Sequence, residues 1–528
     1  MVTLLTFLII TGPLLLFLLG LAPSGWVERN PLKFVRLAES VAIVGLVSAV
    51  LATWGYSEHG LIEQGFAGID IYFDALSATM LILVSFVSVI VIRYSRNYLA
   101  GDPGQGRFMK WLVLTIGAVL TLSVSGNLVL FTLAWMATSL KLHQLLTFYL
   151  DRPTALIVAR KKFVISRIGD LCLILAMVLI YQRFGSLRFG EIFAAADIVS
   201  TTSQTVDADS ELSWIGILLV LGALLKSAQF PFHSWLPEVM ETPTPVSALM
   251  HAGIINAGGF LIVRMSHVMI LAPSALHLLA VLGAITALFG ALCMLTQTSV
   301  KKSLAFSTVG QMGFMMLQCG LGAFSSAILH IVAHSLYKAH AFLSSGSIVD
   351  IAKSSWVPLV RKKRDSWHLL SGFVLALVLT FSVSTLFGFT LSYHPGVLIL
   401  GVILQIALTY LLWNAIEIHI GKRLFISVSI IAGLVSVVYF ALQAAFIELL
   451  QNVLPTTELA SGAFDFGLLL FVLMSFMSVL WLQVRFSSDD VGSGWQSVYV
   501  HFYNGFYISS FANLLIRRYW PAKSPRHS

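Results

Sequence analysis

Runs of about twenty predominantly apolar residues follow one another along almost the whole of this chain, and no other feature restricts its folding so strongly. They lie near 2–21, 37–56, 72–92, 111–125, 128–150, 164–182, 213–229, 244–263, 276–298, 303–319, 323–346, 367–391, 396–416, 424–446 and 464–484. A helix of that length covers the ~30 Å hydrocarbon layer of a bilayer. In lipid only helices and closed barrels satisfy every backbone polar group. The expected fold is therefore an all-α polytopic membrane protein with roughly 14–15 transmembrane helices. Composition agrees: 58% of the 528 residues are hydrophobic and 11% charged, against about 25% charged in ordinary soluble domains. The first run has no basic residue before it and no clean cleavage site after it, so it reads as a retained helix. The formal charge of +8 does not point to nucleic acid, because no basic patch alternates with exposed aromatics. Cys172, Cys293 and Cys319 lie in apolar runs without metal or disulfide spacing. No Rossmann or P-loop glycine pattern suggests a nucleotide site.

The basic residues orient the chain. With the N-terminus outside, the great majority of the 32 lysines and arginines fall in inward-facing segments, as in Arg93, Arg96, Arg107 and Lys110, Arg160–Lys162 and Arg361–Arg364. Outward segments hold Arg183, Arg188 and Arg264 and are otherwise neutral or acidic. This positive-inside bias predicts an N-out, C-in orientation.

Lys141, Lys226 and Lys338 sit within predicted spans instead. A charge at mid-membrane costs several kcal/mol and usually faces a wet interior where it does a job; the bland alternative is a lysine snorkelling from a helix end. His330, His334 and Lys338 are spaced i, i+4, i+8 and so share one helix face. Such a file suits proton relay, since imidazole titrates near neutral pH and both accepts and donates. Structural histidines are the competing reading. A metal on the His pair is a third, with no Cys, Asp or Glu nearby to complete it.

The stretch "LLKSAQFPFHSWLPEVMETPTPVSALMHAG" (Leu224–Gly253) sets Lys226 in an apolar run, breaks that run, and resumes it with His251. Pro231 and Pro237 remove amide donors, while Pro245, with Thr244 and Ser247, opens the next helix. Broken helices inside membranes mark ion sites in transporters. Lys226 and His251 are expected to meet across one polar axis.

Here the sequence resembles a family. "KSAQFPFHSWLPEVMETPTPVSALMHAG" (Lys226–Gly253) and "KKSLAFSTVGQMGFMMLQCGLGAFSSAILHIVAHSLYKAHAFLSSGS" (Lys301–Ser347) look like the signatures of the antiporter-like subunits of respiratory complex I and of multisubunit sodium–proton antiporters. The resemblance covers roughly residues 70 to 350 and is weaker beyond. It implies two inverted five-helix repeats with discontinuous helices, and a midplane chain of buried polar residues. The domains then read as N-terminal helices (1–110), a first repeat (111–263), a second repeat (276–416), and C-terminal helices with a cytoplasmic interfacial tail (417–528). Carried over by motif, Lys226 is the central lysine, His251 the bridging histidine, and His330, His334 and Lys338 the next relay group.

Two departures narrow the subfamily. "AWMATSLKLHQLL" has Met136 where these subunits usually carry a glutamate, with Lys141 and His143 further along. "VSTLFGFTLSY" (Val383–Tyr393) lacks the prolines and lysine of the usual later broken helix. There is also no room for a long lateral helix. The tail "YVHFYNGFYISSFANLLIRRYWP" (Tyr499–Pro521) resembles that of the DabB family, membrane subunits of two-component inorganic carbon transporters. That resemblance implies a DabA-like partner on the cytoplasmic face, similar to zinc-dependent carbonic anhydrases. The zinc is expected in the partner, with no cofactor in this chain. The membrane subunit would pass H⁺, or Na⁺, down its gradient to drive CO₂ hydration or bicarbonate accumulation, and would not itself be an enzyme. Any acid missing from position 136 is then expected from the partner's side. Two other readings stay open: a proton-pumping subunit of an NADH–quinone oxidoreductase or hydrogenase complex, and a subunit of a multisubunit cation–proton antiporter.

Overall fold

The computed structural model describes residues 2–66, 69–149, 152–202, 210–346, 366–389, 395–417, 422–455, 463–486 and 493–520. The Arg361–Arg364 segment and the end of the Val383–Tyr393 stretch lie outside them. In chain order the helices are α1 (Val2–Gly20), α2 (Ser24–Arg29), α3 (Pro31–His59), α4 (Ala75–Tyr98), α5 (Gln105–Val124), α6 (Leu128–Leu146), α7 (Pro153–Phe184), α8 (Phe189–Thr202), α9 (Ser210–Lys226), α10 (Thr244–Ala252), α11 (Ala257–Arg264), α12 (Ser266–Met269), α13 (Pro273–Thr296), α14 (Val300–Gly320) and α15 (Phe324–Leu343). Then follow α16 (Ser366–Leu386), α17 (Pro395–Glu417), α18 (Lys422–Leu450), α19 (Ala463–Phe486), α20 (Ser493–Tyr503) and α21 (Ile508–Tyr519). Among the described residues ten helical spans are long and apolar enough to cross a membrane. Shorter apolar segments lie in α17 and α19. α9, apolar but 17 residues long, and the more polar α14 and α15 are not among the ten. The protein is an all-α polytopic membrane protein.

One element departs from that class. β1 (Ile62–Phe66) and β2 (Ile69–Phe73) form an antiparallel hairpin between α3 and α4. It ends at Asp74, whose Oδ1 accepts the Ser77 amide at 2.8 Å and caps α4.

Glycines set the closest helix contacts. A Cβ on Gly290 of α13 would lie 2.3 Å from the Gly310 amide nitrogen of α14, so only a bare backbone fits there. Small residues of this kind let transmembrane helices approach closely. Gly258 of α11 plays the same part at the end of α9, where a Cβ would meet the Ala223 carbonyl oxygen at 2.5 Å.

Three basic residues assigned to loops are inside helices. Lys161 and Lys162 are 2% and 3% exposed on α7, which begins at Pro153 rather than near 164. Arg264, assigned to an outward loop, is 3% exposed at the end of α11. Its guanidinium holds Asp74 in a bidentate pair, Nη1 to Oδ2 at 2.6 Å and Nη2 to Oδ1 at 3.1 Å, and donates to Ser77 Oγ at 2.6 Å. Buried charges survive when paired in this way. Among the described residues, the basic groups at these two places therefore report on packing rather than on loop charge.

Candidate functional site

α9 stops at Lys226, and the chain stays irregular to Pro243 apart from a short 3₁₀ turn at Val239–Glu241. The stop is built locally. Ala228 takes the left-handed conformation (φ 50°) and Gln229 N–H donates back to Leu224 C=O at 3.1 Å. That is the 6→1 bond of a Schellman motif, with alanine where glycine is usual. The next amide, Phe230 N–H, donates to Thr286 Oγ1 of α13 at 3.1 Å. Pro231 and Pro237 lie in the irregular segment. Pro245 lies in the first turn of α10, where a missing amide donor costs nothing. The helix carrying His251 is itself interrupted, by a 3₁₀ turn at Ile254–Asn256 between α10 and α11.

Lys226 is 6% exposed. Its ammonium donates to the Trp135 carbonyl at 3.1 Å and to Ser139 Oγ at 2.9 Å, both on α6, and lies 4.3 Å from the centre of the Trp135 ring. Lys162 donates to the Ser139 carbonyl at 3.1 Å, so one serine touches two buried lysines. The carboxylate acting on Lys226 is Asp170 of α7, which pairs with Arg167 at 2.6 Å. Asp170 was not singled out in the sequence, where an i, i+3 Arg–Asp pair reads as a solvated helix face. An acid of this chain, Asp170, therefore acts on Lys226.

His251 stacks on Phe342 with ring centroids 4.2 Å apart and interacts electrostatically with Lys338 and His334. It belongs with the α15 group rather than with Lys226, whose hydrogen bonds run to α6. His330 and His334 have centroids 6.0 Å apart, and Lys338 donates to the Leu304 carbonyl at 3.1 Å. Both ring nitrogens of His251 and of His334 are buried without a protein partner among the described residues. So is Nε2 of His330. No group of three or more His, Cys, Asp or Glu among the described residues could hold a metal.

Neutral side chains join the two clusters. Ser227 Oγ donates to the Ile255 carbonyl at 2.6 Å. Asn256 Nδ2 donates to Ser335 Oγ, beside His334, at 2.8 Å. Neither Asn256 nor Ser335 was assigned to the relay from the sequence. Their signal was an amide and a hydroxyl in otherwise apolar, membrane-length runs.

Lys141 and His143 part company. Lys141 is half-buried against Trp111, its ammonium 5.3 Å from the ring centre. His143 faces α7, with its ring 5.3 Å from Phe163 and Lys162 and Arg167 acting on it.

The C-terminal helix covers the irregular segment. Glu238 Oε2 accepts from Lys161 at 2.7 Å, and its Oε1 accepts from Asn513 Nδ2 at 3.0 Å and from Ser509 Oγ. Arg160 donates to the Trp520 carbonyl at 2.6 Å. The opposite side of α21 exposes Phe511, Leu514 and Tyr519, as an interfacial helix would.

Comparison with known proteins fits this geometry. The family model described as "NADH:quinone oxidoreductase/Mrp antiporter, TM" matches residues 125–421, and the complex I chain 5 N-terminus model matches 66–109. The structure of the Mrp complex from Dietzia sp. DQ12-45-1b shares the fold, with a TM-score of 0.57 at 20% identity, over 99% of this chain and 58% of that one. A chain of the membrane-bound sulfane sulfur reductase, an archaeal respiratory membrane complex, gives 0.58 at 18% identity, over 97% and 99%. Fold and polar core together define an antiporter-like membrane subunit. Among curated relatives, "Probable inorganic carbon transporter subunit DabB2" of Halothiobacillus neapolitanus is 38% identical over 88% of this chain and 82% of its own length. The DabB subunit of Hydrogenovibrio crunogenus is 35% identical over 88% and 89%. NADH-quinone oxidoreductase subunit L of Escherichia coli is 34% identical over 63% and 55%. The chain belongs to the DabB family of inorganic carbon transporter subunits.

Proposed function

We propose that this chain is the proton-conducting membrane subunit of a two-component inorganic carbon transporter, and not itself an enzyme. The observation that carries the reading is the buried polar axis. Lys226, at the stop of α9, bonds Trp135 and Ser139 and interacts electrostatically with Asp170; Ser227 reaches the Ile255 carbonyl, and Asn256 bonds Ser335 beside the His334–Lys338 file. Charged groups in a membrane interior are costly and mark ion paths. Lysine and imidazole can release and take up protons, whereas guanidinium cannot. The inverted-repeat architecture and the N-out, C-in orientation belong to the same proposal.

The partner in this reading is a DabA-like peripheral subunit whose zinc, held by that subunit, supplies CO₂ hydration. The tail helix α21 is the element of this chain best placed to meet it, on the inward face beside Glu238. Proton influx through the membrane subunit drives bicarbonate accumulation.

The test is growth in ambient air of a carbonic-anhydrase-deficient bacterium carrying both subunits. Lys226→Ala abolishes growth while the complex stays in the membrane. Lys226→Arg fails as well, because it keeps the charge but not the proton exchange. Wild-type growth of either variant overturns the reading. Loss of NADH-linked pumping on deletion of the gene would assign the chain to a redox complex instead.

A further inference from the structure

The polar file on α15 is longer than three residues. Ser326 precedes His330 by four, so Ser326, His330, His334 and Lys338 follow at i, i+4, i+8 and i+12 on one face. Twelve residues of helix rise about 18 Å, more than half the ~30 Å hydrocarbon layer. One end is Lys338, bonded to the Leu304 carbonyl in the first turns of α14. The other is Ser326, just beneath the tight turn that joins α14 to α15.

Three helices converge there. Gln443 of α18 donates through Nε2 to Ser326 Oγ. Gln318 of α14 donates through Nε2 to the Ser326 carbonyl at 3.5 Å. All three side chains are at most 5% exposed, and Gln318 Oε1 is buried without a protein partner among the described residues. His330 lies one turn below with Nε2 unpartnered as well. Polar groups left over in a buried cluster are sites where ordered water bridges.

An ion that reaches α15 has few ways onward through charged groups. The charged residues of α16 to α19, Glu417, Lys422, Arg423, Glu448, Asp465 and Arg485, all lie within two residues of a helix end, and none lies in the middle of a span. The route therefore leaves along α15 itself.

We propose that Gln318, Ser326 and Gln443 form the outer mouth of the ion path, a hydrated passage for a proton between His330 and the membrane face beneath the α14–α15 turn. The inference rests on the proton-conducting reading above. Hydroxyl and amide groups do not titrate here; they hold the water that hands the proton to the imidazole. A dry set of interhelical hydrogen bonds is the competing account, since such bonds also glue transmembrane helices together.

The test uses membrane vesicles of both orientations holding the complex with its partner, in a transport-competent background with Cys172, Cys293 and Cys319 replaced. Ag⁺, a cation small enough for a narrow aqueous path, is applied to Ser326→Cys, and CO₂-dependent proton flux is read with a trapped pH dye. We expect Ag⁺ on the outer face to cut the flux at least tenfold, with the cysteine-free parent unaffected. Gln318→Leu combined with Gln443→Leu should cut the flux similarly at unchanged subunit levels. Ser326→Cys that ignores outer Ag⁺, or responds from the inner face alone, overturns the inference while Lys226→Ala remains inactive. Flux that survives Lys226→Ala would remove the underlying reading, and the inference with it.

Discussion

Replacing Asp74 with asparagine isolates one charge in the buried ion pair that fastens α4 to α11. Asp74 and Arg264 are 2% and 3% exposed. Two guanidinium–carboxylate bonds and a third to Ser77 Oγ satisfy the guanidinium. The rings of Tyr72 and Phe260 lie 5.4 and 5.5 Å from its centre. Asparagine keeps the oxygen that caps α4 at the Ser77 amide but leaves Arg264 charged and unneutralised. Removing one member of a buried pair costs about 3–5 kcal/mol. Asp74→Ala also loses the cap, adding roughly 1 kcal/mol. Arg264→Met should cost about as much as Asp74→Asn, because it strands the carboxylate. The double variant Asp74→Asn/Arg264→Met should cost at least ~2 kcal/mol less than the sum of its parts, since contacting residues couple. Reversible denaturant unfolding in mixed micelles, followed by tryptophan fluorescence, measures the four variants against the wild type. Additive losses, or an Asp74→Asn cost under ~1 kcal/mol, would refute the view that this pair is held by its charge.

Three more outcomes are expected. Ala228→Gly should raise stability by about 1 kcal/mol, because alanine sits in the left-handed conformation that glycine takes freely; a lower unfolding midpoint would count against that account of the α9 stop. Glu238→Ala should release α21, read as at least tenfold faster proteolysis of the tail, since Lys161, Ser509 and Asn513 all bond that carboxylate. Lys141→Ala should leave air-dependent growth at wild-type level, because Lys141 packs against Trp111 while Lys226 finds its partners in Trp135, Ser139 and Asp170; growth failure at normal subunit levels would put Lys141 on the ion path.

What was legible in the sequence follows from what lipid demands. Membrane-length apolar runs are visible because the bilayer leaves the chain no alternative. Lys226, Lys338 and the histidines of α15 are visible because titratable groups are rare there. Their mutual contacts were not legible. His251 lies three residues before a 3₁₀ turn, and the direction of a side chain beside a helix break cannot be projected from helical spacing. Lys161 and Lys162 read as loop residues because a basic cluster at the edge of an apolar run resembles a membrane boundary. In the structure Glu238, donated by the irregular segment, and the Ser139 carbonyl hold them inside. The hairpin after α3 had a signal that went unused: "GIDIYF" (Gly68–Phe73) alternates in polarity after a glycine, as short strands do.

The irregular segment between α9 and α10 ties these features to one another. At its first residue, Ser227, it bonds the Ile255 carbonyl next to Asn256, and so borders the link between the Lys226 and His334 clusters. Further along, Glu238 holds the tail helix. Ser227 at its start and Glu238 further along are both held by hydrogen bonds to other elements. In the reading proposed above, a partner that binds α21 more tightly in one position of that helix than in another would act first on Glu238. Such a partner can shift the ion path only by the difference between its affinities for the two positions. Glu238→Ala, which frees α21 without touching Lys226, is therefore the variant that separates partner binding from conduction.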